Sequence, residues 1–237
     1  MNDLLKKAAS VFFVFLPGVI RKVRHDKLTF LAEYPLYEIY STIRHIERKK
    51  VPGILIEAGV ALGGSAIVMA AAKNRWRPLF LYDVFDMIPP PTIEDGEDVA
   101  KRYSIIKTGD ATGIGGETYY GYQQNLLDRV HDTFVKYNYD PAPHSVHLIK
   151  GLFTDTLRVD SPVAFAHLDG DWYESTLVCL QQIWQHVSAG GRIIIDDYYH
   201  WSGCKKAVDE FFKGRDDFKF LKHSRLHVLK TPVLASR

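Results

Sequence analysis

The apolar positions of this chain alternate between two periods. Short runs rich in Ile, Val, Leu and Phe predict buried strands, and longer stretches with apolar residues three and four apart predict helices. From Thr29, TFLAEYPLYEIYSTIRHIERKK sets Leu36, Ile39, Tyr40, Ile43 and Ile46 on one face, and its basic end suits a helix C-terminus. Pro52-Gly53 interrupts, GILIEAGV reads as a strand, and a turn from Gly59 to Ser65 leads into a helix, SAIVMAAAKNRW. LFLYDVF is a second strand ending at Asp83. A long excursion, 87–143, opens on Pro89-Pro90-Pro91, passes through acidic and glycine-rich segments and closes with a helix, YQQNLLDRVHDTFVKYN. Its stretch from Pro89 to Gly121 reads as mostly non-helical. SVHLIKG, VAFAHLDGD and GGRIIIDDYY supply three more strands, STLVCLQQIWQHV and KKAVDEFFKGR two more helices, and FKFLKHS with RLHVLKT a closing hairpin. The fold class is therefore α/β: a doubly wound, mostly parallel seven-stranded sheet with a C-terminal antiparallel hairpin.

Composition narrows this reading. The chain has 237 residues, 46% of them hydrophobic and 24% charged, which fits one globular domain and excludes disorder as the main state. A formal net charge of +2 is too small for a nucleic-acid partner. Two cysteines, Cys179 and Cys204, exclude a disulfide scaffold and fit a reducing, cytoplasmic compartment. Lys6 and Lys7 precede an apolar stretch. Pro17-Gly18 breaks it, Arg21, Lys22 and Arg24 follow at once, and it is shorter than the ~20 residues of a bilayer span, so neither export nor stable membrane insertion is expected. Residues 1–50 are read as an N-terminal helical segment that packs on the body, meets a second subunit in a homo-oligomer or covers a site. Residues 51–237 are read as the main domain with its insertion at 87–143.

In such a sheet ligands bind outside the carboxyl ends of the strands. Four of those ends carry chemistry, in three groups. The first is IEAGVALGGS, where Glu57, Gly59, Gly63 and Ser65 form a turn that brings backbone close to a ligand at a helix N-terminus. Asp83, on the next strand, stands where a carboxylate accepts hydrogen bonds from ribose hydroxyls. The glycine spacing is not G-x-G-x-x-G, which argues against a dinucleotide, and an acidic residue two places before the glycine is the S-adenosylmethionine pattern. The third is the pair HLDGDWYEST and IIIDDYYH. Asp169, Asp196 and Asp197 end neighbouring strands, with Asp171 beside them. Carboxylates gathered this closely repel unless a proton or cation intervenes, and an all-oxygen set favours Mg2+. His200 is either a general base or a loop residue at the rim, and His167 is a core histidine.

The blocks IEAGVALGGS, YDVFDMIP, KGLFTDTL, HLDGDWYEST and IIIDDYYHWSGCKKAVDEF resemble the macrocin O-methyltransferase family. The resemblance spans roughly 30–230 and implies a sheet of the class I methyltransferase type. It also implies a magnesium- and S-adenosylmethionine-dependent enzyme that methylates sugar hydroxyls on small natural products. It places metal ligands on Asp169, Asp196 and Asp197 and the catalytic base on Asp171. Cofactor contacts fall on the Glu57–Ser65 turn, Asp83, Gly151 and Phe153. Two departures stand out: DVFDMIPPP where the family has D-S-F-E-G-L-P, and TGDATGIGGETYYG, which matches no family pattern. A vicinal diol on a sugar or catechol-like ring suits chelation. The competing expectation is a metal-dependent glycosyltransferase that uses Asp169-Gly170-Asp171 as a D-x-D nucleotide-sugar motif.

Overall fold

A computed structural model describes residues 16–232, so most of the apolar N-terminal stretch lies outside the described residues. Helices α1 (Gly18–His25) and α2 (Glu33–Lys49) precede a sheet whose strands are β1 (Ile54–Ala58), β2 (Leu79–Asp83), β3 (Val146–Lys150), β4 (Val163–Leu168), β5 (Val187–Ile195), β6 (Phe218–Lys222) and β7 (Leu226–Lys230). The strands run in the order β3-β2-β1-β4-β5-β7-β6. The first five are parallel, and β7 lies antiparallel between β5 and β6. The switch point falls between β1 and β4.

The pleat sorts the strand residues onto two faces. Leu55, Leu81, Phe165 and Ile194 point to a layer built by α1, α2, α3 (Gly64–Ala72) and α5 (Leu126–Lys136). Ile56, Ala58, Ala166, Leu168, Ile193 and Ile195 point to α7 (Tyr173–Ile183) and α8 (Ser202–Phe212). Helix α3 is apolar almost all round, and eight of its nine residues are buried because it sits between the sheet and α2. Pro17-Gly18 starts a helix: Pro17 is the N-cap of α1, whose Ile20 and Val23 are fully buried against the body.

The excursion departs from expectation. Within the stretch read as non-helical, Glu97–Lys107 forms helix α4. Only Val99 and Ile106 of α4 are buried, with Tyr103 half-buried between them, so its apolar stripe is thin. The insertion has its own small core, in which Ile88, Val99, Ile106, Ala111 and Tyr119 surround Trp172. Its acidic residues are hydrogen-bonded to the body. Asp95 accepts from the Tyr173 N–H at 2.8 Å, and Asp98 accepts from the Ser202 N–H at 2.9 Å and hydroxyl at 2.5 Å. These contacts cap α7 and α8 and hold α4 over the carboxyl edge of the sheet. The glycine-rich segment is tied down as well, through a Thr112–Thr118 bridge and a Lys27–Glu117 ion pair at 2.7 Å.

Candidate active site

A cavity of about 510 Å3 opens where β1, β2, β4 and β5 end. Its floor is the turn after β1. Gly59 has φ +96°, and an added Cβ there would lie 1.8 Å from the Asp169 carbonyl oxygen, so only glycine lets β1 and β4 end side by side. Asp83 organises that turn from β2. Its Oδ2 accepts from the N–H groups of Val60 at 2.7 Å and Ala61 at 3.0 Å, and its Oδ1 accepts from Phe85 at 2.6 Å. Burial pushes the Asp83 carboxyl up against the pull of those bonds. Ser65, at the start of α3, and Phe153, which opens the short helix α6 (Phe153–Thr156), also line the cavity.

At the far end Asp169, Asp196 and Asp197 each present a carboxylate oxygen, all within 4.8 Å of one another. Burial, then the Asp196 charge, drives the Asp169 carboxyl well above its ordinary range. Burial, then the Asp171 and Asp169 charges, does the same to Asp197. Asp196 behaves oppositely. Burial would raise it, but His167 and Arg225 together outweigh that and hold it low. The Arg225 Nε donates to Asp196 Oδ1 at 2.7 Å, and His167 Nε2 stands 3.7 Å from the same oxygen, an ion-pair distance rather than a hydrogen bond. His167 Nδ1 meets Glu57 Oε1 at 2.8 Å, and the two acids overcome burial to push the imidazole up to about 10.

Asp171 sits beside this cluster in a left-handed conformation, φ +59°. Its N–H donates to Asp197 Oδ2 at 3.1 Å, and its Oδ1 accepts from the Trp201 indole at 3.0 Å. Burial is the main reason its carboxyl rises to about 7, with the Trp201 bond opposing. The oxygen donors fit a hard cation, and the mutual repulsion of Asp169 and Asp197 is what such a cation relieves.

The matched families and structures agree with this geometry. Residues 27–220 match the family model for macrocin O-methyltransferase. The chain belongs to that family. It is 32% identical over 190 residues to demethyldecarbamoylnovobiocin O-methyltransferase of Streptomyces niveus, covering 77% of this chain and 67% of that one. It is 28% identical over 189 residues to mycinamicin III 3''-O-methyltransferase of Micromonospora griseorubida, covering 77% of this chain and 69% of that one. The solved O-methyltransferase NovP superposes with a TM-score of 0.69 at 27% identity, over 86% of this chain and 83% of that one. A Bacillus cereus O-methyltransferase shares the fold at a TM-score of 0.58 and 12% identity, over 94% and 96% of the two chains. Membership makes the chain a methyltransferase with a class I methyltransferase sheet, and implies S-adenosylmethionine as its methyl donor. It also removes the glycosyltransferase reading of Asp169-Gly170-Asp171.

Of the residues expected at the site from the sequence, Gly59, Ser65, Asp83, Phe153, Asp169, Asp171, Asp196 and Asp197 line one cavity. Two expectations need correction. Glu57 is fully buried and bonded to His167, because the pleat turns it into the helical layer rather than the cavity. His200 is exposed outside the lining, at the end of the turn Asp197–Tyr199. His167, read as a core histidine, is one: it is fully buried with Nδ1 bonded to Glu57, and it also links Glu57 to Asp196. Gly63 and Gly151 act through backbone shape, with φ +84° and +145°, and lie behind the lining. The sequence reading missed Arg102, Trp201 and Arg225, which do line the cavity. Arg225 was legible in principle, since the pairing Ile195↔Leu226 sets it beside Asp196.

Proposed function

We propose that this chain is a magnesium-dependent O-methyltransferase acting on one hydroxyl of a vicinal diol, on a sugar-bearing or other hydroxylated small molecule. The observation that carries the reading is the convergence of Asp169, Asp196 and Asp197 beside a half-buried Asp171 in one cavity at the carboxyl edge of the sheet. When bound, the two absent groups supply an electrophilic sulfonium methyl and a hard cation that stabilises charge on the acceptor oxygen.

The residues of this chain do the rest. The turn after Gly59 and the Phe153 ring hold the donor, with Asp83 and the exposed Asp86 facing its ribose. Asp169, Asp196 and Asp197 hold the cation. Trp201 occupies Oδ1 of Asp171, so the acceptor proton goes to Oδ2. Ile88, Tyr119, Tyr120 and Trp172 enclose the acceptor end and exclude water. In-line positioning supplies about 7–11 kcal/mol of the barrier reduction. The insertion acts as the cover of the acceptor. Among the described residues no helix is long and apolar enough to cross a membrane.

Excess chelator tests the reading. Turnover should vanish while S-adenosylhomocysteine affinity changes little. Asp197→Asn should behave likewise with its unfolding transition intact. Full activity in chelator would overturn the metal assignment.

A further inference from the structure

The cavity lining contains two basic side chains, Arg102 and Arg225. Arg225 is committed, its Nε bonded to Asp196. Arg102, on α4, is not. Among the described residues it makes no hydrogen bond and no ion pair, and its one close partner is the Tyr119 ring, 5.7 Å below the guanidinium carbon. A cation–π contact at this distance leaves the N–H groups of the guanidinium unpaired, and such a fork is suited to receiving an oxyanion with two parallel bonds.

The neighbouring charges of the insertion are already used. Asp95 and Asp98 cap α7 and α8, and Glu94 pairs with Lys206 at 2.6 Å. These contacts fix α4 in place, so Arg102 is held at the acceptor end of the cavity by an anchored helix. Its field reaches Asp171, but the two are not in ion-pair contact. Ile88, Ile106, Tyr119 and Trp172 supply the apolar and aromatic part of the wall at this end; of its carboxylates, Asp95 is bonded to the Tyr173 N–H and Asp171 to the Trp201 indole, which leaves Arg102 as the cation there without a fixed partner among the described residues.

We propose that Arg102 is a specificity-determining residue that binds an anionic oxyacid group, carboxylate or phosphate, carried by the acceptor. This rests on the reading above that the cavity methylates a hydroxylated small molecule. The acceptor is therefore an acidic polyol or sugar rather than a neutral one, with Tyr119 and Arg102 forming a combined ring-and-fork recognition surface.

Three probes test this on the full chain loaded with S-adenosylhomocysteine: D-glucose, D-glucuronate and D-glucose 1-phosphate. Affinity is measured by calorimetry, in magnesium and again in chelator. At least one acidic probe should bind about 10- to 100-fold more tightly than glucose, the range of a charge-assisted bond. Which acid is preferred distinguishes carboxylate from phosphate. Arg102→Gln should abolish the preference, Arg102→Lys should keep part of it, and both should bind S-adenosylhomocysteine like the parent. Glucose binding as well as both acids would overturn the proposal. So would Arg102→Gln weakening all three probes equally, which would make Arg102 a tuner of Asp171. A charge preference that persists in chelator would support Arg102 even if the metal reading failed.

Discussion

Replacing Gly59 by alanine perturbs the point on which the site is built. The new Cβ meets the Asp169 carbonyl oxygen at 1.8 Å and its carbonyl carbon at 2.7 Å, and both are backbone atoms that cannot swing aside. The Gly59 N–H is bonded to the Tyr82 carbonyl at 2.9 Å, and the Asp169 N–H to the Ala58 carbonyl at 2.8 Å, so relief of the clash breaks a ladder bond. Two costs add. A left-handed backbone with a Cβ costs about 1–2 kcal/mol. Overpacking at a fixed backbone costs about 1–3 kcal/mol more. The sum, about 2–5 kcal/mol, is a large fraction of a domain's stability and corresponds to a fall of about 5–15 °C in Tm. Gly116 separates the two costs: its φ is +82° and a Cβ there meets nothing within 4 Å. Gly116→Ala should show the backbone cost alone. Urea unfolding of the two variants gives the difference. If Gly59→Ala is no more than a few tenths of a kcal/mol worse than Gly116→Ala, the packing of β1 against β4 does not constrain the site as argued.

Two further outcomes follow from other contacts. Trp201→Phe removes the indole donor to Asp171 Oδ1, and kcat/KM should fall about tenfold or more while S-adenosylhomocysteine affinity is kept; equal turnover would detach Trp201 from the chemistry. Asp26 is held down at about 2, by His25 foremost and then by the Tyr137 hydroxyl at 2.9 Å, which ties α1 to α5. Its folded value is depressed, so its contribution is complete above pH 3.8 and is lost as pH falls through about 2. After discounting for its partial exposure, Asp26→Asn should cost about 1 kcal/mol at pH 7 and only a small fraction of that at pH 2. A penalty that does not change between those limits would refute the assignment.

Most of the fold was legible because it rests on patterns a single sequence carries. The five parallel strands are short apolar runs, and the topology places the residues that end four of them, Ala58-Gly59, Asp83, Asp169 and Asp196, on one edge. Adjacency of β4 and β5 brings Asp169 to Asp196 and Asp197 without any side-chain detail. Strand phase was harder. Glu57 and Gly59 are two residues apart, yet Glu57 is still within the pleat and faces His167, while Gly59 has left it. Helix α4 was obscured because its inward stripe is only Val99, Tyr103 and Ile106 and its acids suggested a solvated loop. Those acids instead cap two other helices, a partnership across roughly a hundred residues that no local pattern encodes. Arg102 was hidden for the same reason, since it reaches the cavity only once the insertion has docked; Trp201 was hidden because its partner, Asp171, lies on a different strand end.

The charges of the site are unevenly compensated, and the imbalance supports the proposed cation. Asp196 is met by Arg225 at 2.7 Å and by the His167 imidazolium at 3.7 Å. Asp197 receives one backbone N–H, from Asp171, and among the described residues the Asp169 carboxylate receives no hydrogen bond. Two fixed cations beside one carboxylate leave the others to repel across the same few ångströms, which adds to the burial that raises Asp169 and Asp197, while Asp196 is held low. A purely structural cluster would distribute its cations among all three acids. Here Arg225 and His167 both approach Oδ1 of Asp196, so its second oxygen is free to join Asp169 and Asp197 around a common centre. Outer partners that fix one oxygen and release the other are how protein sites orient carboxylates toward a metal. The same device recurs at Asp171, where Trp201 fixes Oδ1 and leaves Oδ2 for the acceptor proton. Each acid at the edge of the sheet thus has its role set by which of its oxygens the surrounding fold has already used.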